Sequence, residues 1–166
     1  MVTVCGELCR SGLTLGEAAA AVAERCEGQR VQYVVASPDL WNRRQDSGRS
    51  GISVMQAAAA LPPLLPADDR RIPGWRLVHE YLHDDGESGK PRLQVASSCR
   101  ELISCMQALQ CHERIPEDAA DRPHALTHAP EALRYALMSR SGQKRQKEVD
   151  DYPFRFPDRE HRSIWD

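Results

Sequence analysis

The sequence lacks a surplus of positive charge: 22 Lys and Arg stand against 24 Asp and Glu, a formal net charge of −2 over 166 residues. Such a balance does not mark a nucleic-acid partner globally, so any contact of that kind must come from local patches. No apolar run approaches the ~20 residues needed to cross a bilayer. The opening MVTVCGELCR has neither the basic n-region nor the apolar h-region of a secretory signal. Together these absences predict a soluble, cytoplasmic protein with no membrane contact. C-x-x-C is missing too. The six cysteines (Cys5, Cys9, Cys26, Cys99, Cys105, Cys111) have the spacing of neither a disulfide framework nor a zinc site. In a reducing compartment scattered cysteines act mostly as small buried hydrophobes. There is no internal repeat.

What is present alternates between strand-like and helix-like segments. MVTVCGEL alternates apolar and polar residues and reads as a strand. LTLGEAAAAVAERCEG reads as a helix, with Thr14 as N-cap, Glu17 three residues on and Gly28 closing it. RVQYVVAS, residues 30–37, is a β-branched run short enough for a buried strand, followed by the polar loop PDLWNRRQDSGRSG. A helix over 51–60 stops before LPPLLP, whose prolines forbid continuation. RIPGWRLVHEYLHD places Trp75, Val78 and Leu82 on one helical face. PRLQVAS reads as a third strand, and CRELISCMQALQ as a helix capped by Ser97 or Ser98. The last helix begins near 127–131, and residues 141–166, rich in charge and proline, read as a flexible tail. This order predicts an α/β layer structure with a partly parallel sheet. Ligands of such sheets gather beyond the carboxyl ends of the strands, which singles out Asp39.

Three stretches carry a resemblance. YVVASPDLWNRRQDSGRSG (33–51), RRIPGWRLVHEYL (70–82) and IPEDAADRPHALTHAPEALRYALMSR (115–140) resemble the C-terminal nuclease domain of the terminase large subunit of tailed bacteriophages and prophages. The resemblance spans about residues 2–140. It implies a ribonuclease-H-like nuclease fold over 1–140, N-terminally truncated, with a central mixed sheet flanked by helices. It also implies a metal-dependent endonuclease that cuts concatemeric duplex DNA during genome packaging, with the terminase small subunit and the portal protein as further partners. Of the family's three acidic positions, the second falls on Asp39 and the third on Glu131, while His128 matches a metal-proximal histidine. The first has no counterpart, and its strand is expected upstream of Met1, with the ATPase domain. No G-x-x-x-x-G-K-[ST] occurs here.

The implied chemistry needs several carboxylates around two Mg²⁺ or Mn²⁺ ions ~4 Å apart. Asp39, Glu131 and His128 are the expected metal ligands, with Asp39 and Glu131 catalytic. Without the family resemblance, His128 and Glu131 read as a surface pair at a helix start, and Asp39 as turn chemistry. Asp118 and Asp121 read as solvated loop acids, one of them available to orient a ligand. Trp41 and Trp75 read as packing anchors. Arg43, Arg44 and Arg49, with Lys144 and Arg145, form basic groups suited to DNA phosphates. With one acidic position unfilled, the alternative is a catalytically inactive prophage remnant acting only as a DNA- or portal-docking module.

Overall fold

The computed structural model describes residues 1–150 except 46, 47, 85, 87 and 88, and of 141–150 it describes the backbone alone. Its elements are β1 (Val2–Val4), α1 (Leu15–Cys26), β2 (Val34–Ala36), α2 (Gly51–Ala58), β3 (Leu64–Pro66), α3 (Arg71–Leu82), β4 (Leu93–Val95), α4 (Arg100–Ala108) and α5 (His128–Asp150). Short 3-10 turns occupy Pro38–Trp41 and His124–Leu126. The architecture is mixed α/β with small parallel sheets. Among the described residues no helix is long and apolar enough to cross a membrane.

Local chemistry sets most helix starts. Thr14 caps α1 in a full capping box: its hydroxyl accepts from the Glu17 amide, and the Glu17 carboxylate accepts from the Thr14 amide at 2.7 Å. Ser50 caps α2 through the Ser53 amide. Helix α4 departs from expectation. Neither Ser97 nor Ser98 caps it; its N-cap is Cys99, with no side-chain cap bond. Glu7 reaches in instead, accepting from the Glu101 and Leu102 amides at 3.0 and 2.9 Å. A carboxylate there satisfies two orphan donors and opposes the positive helix end.

The strands form two separate parallel pairs. β1 pairs with β4, Val2 opposite Leu93 and Val4 opposite Val95. β2 pairs with β3, Val34 opposite Leu64 and Ala36 opposite Pro66. β3 lies in the LPPLLP stretch that the sequence marks only as a helix stop. The register explains its tolerance of proline. Pro63 contributes its carbonyl to Val34 N–H at 2.8 Å, and Ala67 N–H bonds Ala36 O at 2.9 Å. Pro66 therefore sits where its N–H is not required.

The core is built on α3 and α5. Trp75, Val78, Leu93, Cys99, Leu102, Ala119, Leu133 and Leu137 form one buried cluster, with Val2, Val4 and Tyr81 packed against it. Trp75 is the packing anchor expected, 5% exposed, whereas Leu82 stands out into solvent. Only Cys99 and Cys105 of the six free cysteines are buried, while Cys5, Cys9 and Cys111 are exposed. Helix α5 carries the backbone of 141–150 beyond the expected boundary at 140. The rest of the expected tail, 151–166, lies outside the described residues.

Leu137 is 1% exposed at the centre of this cluster. Leu137→Ala should destabilise the fold by about 2–5 kcal/mol, the range for an aliphatic truncation that leaves a cavity. Urea unfolding checks this as a lower midpoint at unchanged slope.

Candidate functional site

A charged cluster joins α3, the 118–121 loop and the start of α5. Arg71 opens α3, and its guanidinium is shared among three carboxylates. Nε bonds Asp118 at 2.9 Å, Nη2 meets Asp121 at 3.0 Å and Nη1 bonds Glu131 at 2.8 Å. Nη2 also donates to Ala119 O at 2.8 Å. Burial alone would lower the Arg71 pKa. The Asp118 hydrogen bond and charge, followed by Glu131 and Asp121, outweigh it and raise the pKa. The guanidinium stays charged.

Arg134 completes the cluster from inside. Its side chain is 1% exposed, and its Nε bonds the second Glu131 oxygen at 2.8 Å. Nη2 reaches the same oxygen, and Nη1 donates to Arg70 O at 3.0 Å, at the N-terminus of α3. The guanidinium lies 4.7 Å from the Tyr135 ring centroid and 5.9 Å from that of Trp75. Gly74 makes room: a Cβ there would come within 2.7 Å of Arg134 Cγ. A methyl at 74 would force the buried arginine out of its slot.

The expected site residues separate. Both Glu131 oxygens are held by arginines, and Glu131 lines an open cleft of about 510 Å³ with Asp69, Asp121, His124 and Tyr135. His128 is exposed on another side of α5, where it lines a cleft of about 940 Å³ with Glu7, Cys9 and Glu101. Its ring stacks on His124 at 6.4 Å between centroids. Asp39 is exposed in the 3-10 turn after β2, where the Asn42 amide reaches its carboxylate at 3.4 Å. Among the described residues no three His, Cys, Asp or Glu side chains gather in a group that could hold a metal ion. Asp39, Glu131 and His128 therefore do not fit Mg²⁺ or Mn²⁺ as arranged. Asp118, expected to be solvated, has only 11% of its side chain exposed.

The basic residues are arranged differently. Arg43 and Ser50 form an antiparallel bridge, and Arg44 N–H bonds Arg49 O at 3.1 Å, closing a hairpin after β2. Arg43, Arg44 and Arg49 are exposed, and among the described residues none of them forms a salt bridge. The Lys144 and Arg145 side chains lie outside the described residues.

Cys9 and His128 line one cleft, a combination that invites a nucleophile reading. The electrostatics oppose it. Desolvation raises the Cys9 pKa, and the Glu7, Glu101 and Cys99 charges add to it. A thiolate nucleophile needs the reverse. Glu7 is committed to α4, its pKa lowered by the backbone hydrogen bonds of Leu102 and Glu101.

No family model, no curated protein and no solved structure matches this chain.

The sequence points to Glu131 but not to its partners. Arg134 is three residues on, and a buried arginine on an apolar helix face carries no periodicity signal. Arg71 stands in the R-x-x-GW motif, whose spacing also sets Gly74 against Arg134.

Glu131→Gln leaves Arg134 buried beside a neutral group and should cost about 3 kcal/mol or more in urea unfolding, as for a broken buried ion pair. Asp39→Asn, at an exposed turn, should change stability by less than about 0.5 kcal/mol. The Glu7 pKa is depressed on folding, so its contribution is present above the ordinary glutamate value of about 4.3 and fades as pH falls through the lowered value. Glu7→Gln should flatten the acid limb of a stability–pH curve while leaving the alkaline limb unchanged.

Proposed function

We propose that this chain is part of the nuclease domain of a phage or prophage terminase large subunit, with a ribonuclease-H-like fold, and that its own contribution is to contact duplex DNA rather than cut it. The motif set over 33–51, 70–82 and 115–140 supports the family. One observation carries the non-cleaving half: both Glu131 oxygens accept from guanidinium groups, and Asp39 and His128 do not join Glu131 in a metal-binding group. Hydrolysis through two ions needs carboxylates with free lone pairs converging on one phosphate.

The DNA-contacting half rests on the hairpin. Three exposed arginines, flanking the Arg43–Ser50 bridge, stand just beyond β2. Guanidinium groups of this kind hold phosphate oxygens without reading sequence. The portal protein and terminase small subunit are the expected protein partners on the same reading.

Fluorescence anisotropy with linear duplex DNA tests it across a salt series. Binding should weaken linearly in log–log form, and R43Q/R44Q/R49Q should reduce the slope by about 0.9 for each phosphate no longer neutralised. Supercoiled plasmid should stay intact with Mn²⁺ in excess. An unchanged slope in the triple variant removes the hairpin from the interface. Metal-dependent nicking that disappears in a folded Glu131→Gln protein restores the endonuclease reading.

A further inference from the structure

Helix α5 borders a second opening around Ser139 and Arg140. A space of about 670 Å³ lies there, bounded also by Val2 of β1, Val35 of β2, Tyr81 of α3 and the run that leads into β2. That volume falls within the roughly 300–1,000 Å³ of small-molecule sites. Neither the hairpin arginines nor Glu131 lines it.

Two kinds of group converge on this space. Arg30 and Arg140 bring guanidinium groups from distant parts of the chain, and both residues are exposed. Among the described residues Arg30 forms no salt bridge. On α5 the positions one turn beyond Arg140 carry Gln143 and Lys144, so the helix spacing sets a neutral and a cationic residue next to it. Tyr33 and Tyr81 bring half-buried aromatic rings, one from the lead into β2 and one from α3.

The hydroxyl groups give the space a polarity. Ser139 Oγ donates its proton to Ala136 O at 2.7 Å. With that proton engaged, the 3.3 Å contact between Tyr33 Oη and Ser139 Oγ takes its proton from the tyrosine. Both oxygens keep lone pairs and neither keeps a free proton. The hydroxyl pair therefore accepts hydrogen bonds, whereas the guanidinium groups only donate them.

We propose that this space binds a nucleoside monophosphate. The phosphate lies on Arg30 and Arg140, the base rests against Tyr33 and Tyr81, and an N–H of the base donates to the Tyr33–Ser139 pair. An inorganic oxyanion would use the arginines alone and leave rings and lone pairs unmatched. A plain aromatic ring would leave the arginines unmatched. Duplex DNA keeps its bases stacked, so the ligand is a free nucleotide or a nucleotide of an unpaired strand. The site shares no residue with the cationic hairpin, and it stands whether or not the chain is a nuclease domain.

The probe is adenosine 5′-monophosphate (AMP), titrated calorimetrically into the full chain. Adenosine, ribose 5-phosphate and purine riboside 5′-monophosphate, which lacks the exocyclic amine, are run beside it. AMP should bind, and each of the other three should bind about tenfold more weakly, the scale of one lost stack or hydrogen bond. Arg30→Gln with Arg140→Gln should bring AMP down to the affinity of adenosine. Tyr33→Phe with Ser139→Ala should erase the preference for the amine, with urea unfolding confirming that both double variants fold. Competition by single-stranded oligodeoxyadenylate supports the proposal and assigns the nucleotide to an unpaired strand; AMP binding without such competition supports it and assigns a free nucleotide. Ribose 5-phosphate binding as tightly as AMP overturns it by reducing the site to an oxyanion contact. Unchanged AMP affinity in the folded arginine variant, or no AMP binding at millimolar concentration, overturns it outright.

Discussion

Arg134 is the constraint on which the C-terminal half of the molecule depends. A guanidinium at 1% exposure is tolerable only with its charge answered and its donors used. Glu131 answers the charge from three residues earlier on α5, and the Arg70 carbonyl takes a donor from the start of α3. Both helices are thereby held at one relative register, with Gly74 leaving the room that the Arg134 side chain fills. Arg71 then uses the other Glu131 oxygen and extends the network to Asp118 and Asp121, pinning a loop that has no regular secondary structure. A buried ion pair of this type contributes less to net stability than to the choice of one arrangement over its neighbours, since a shifted helix would strand a charge.

This arrangement puts structure and metal binding in competition at Glu131. A hard cation would have to share Glu131 with two guanidinium groups that already draw on both of its oxygens. Arginine holds them with directional hydrogen bonds as well as charge, and it does not lose its proton at any ordinary pH. The cationic hairpin of Arg43, Arg44 and Arg49 faces no such conflict, because its side chains stand in solvent beyond β2. Asp118, Asp121 and Glu131 are spent on the fold, whereas among the described residues Arg43, Arg44 and Arg49 form no salt bridge. That division is the physical basis for separating DNA contact from DNA cleavage.

Much of the helical framework was legible in the sequence because helix signals are local. Thr14 with Glu17 marks α1 within four residues, and the Trp75–Val78 face of α3 follows from spacing alone. The sheet was less so. β3 hides behind prolines that only the register of a parallel pair makes harmless. The α4 start draws its cap from Glu7, a residue far away in the chain, whereas Ser97 and Ser98 look adequate locally and are not used. At the candidate site, Glu131 was visible as a helix-start acid, but its opposition to Arg71 and Arg134 is a tertiary fact. Asp118 looked like a solvated loop acid for the same reason.

Helix α5 links these features, since its successive faces do different work. Glu131 and Arg134 face the charged network, Leu133 and Leu137 face the core, and Ala136 and Ser139 face a space of about 670 Å³ beside Val2 and Val35. Strands of three residues in two-stranded pairs are too short to hold themselves together. They keep their places because β1 packs on the cluster that includes Leu133 and Leu137 and because Tyr33, leading into β2, is tied to Ser139. The position of α5 therefore anchors both β1 and the lead into β2, and the Arg134–Glu131 pair ties the start of α5 to α3.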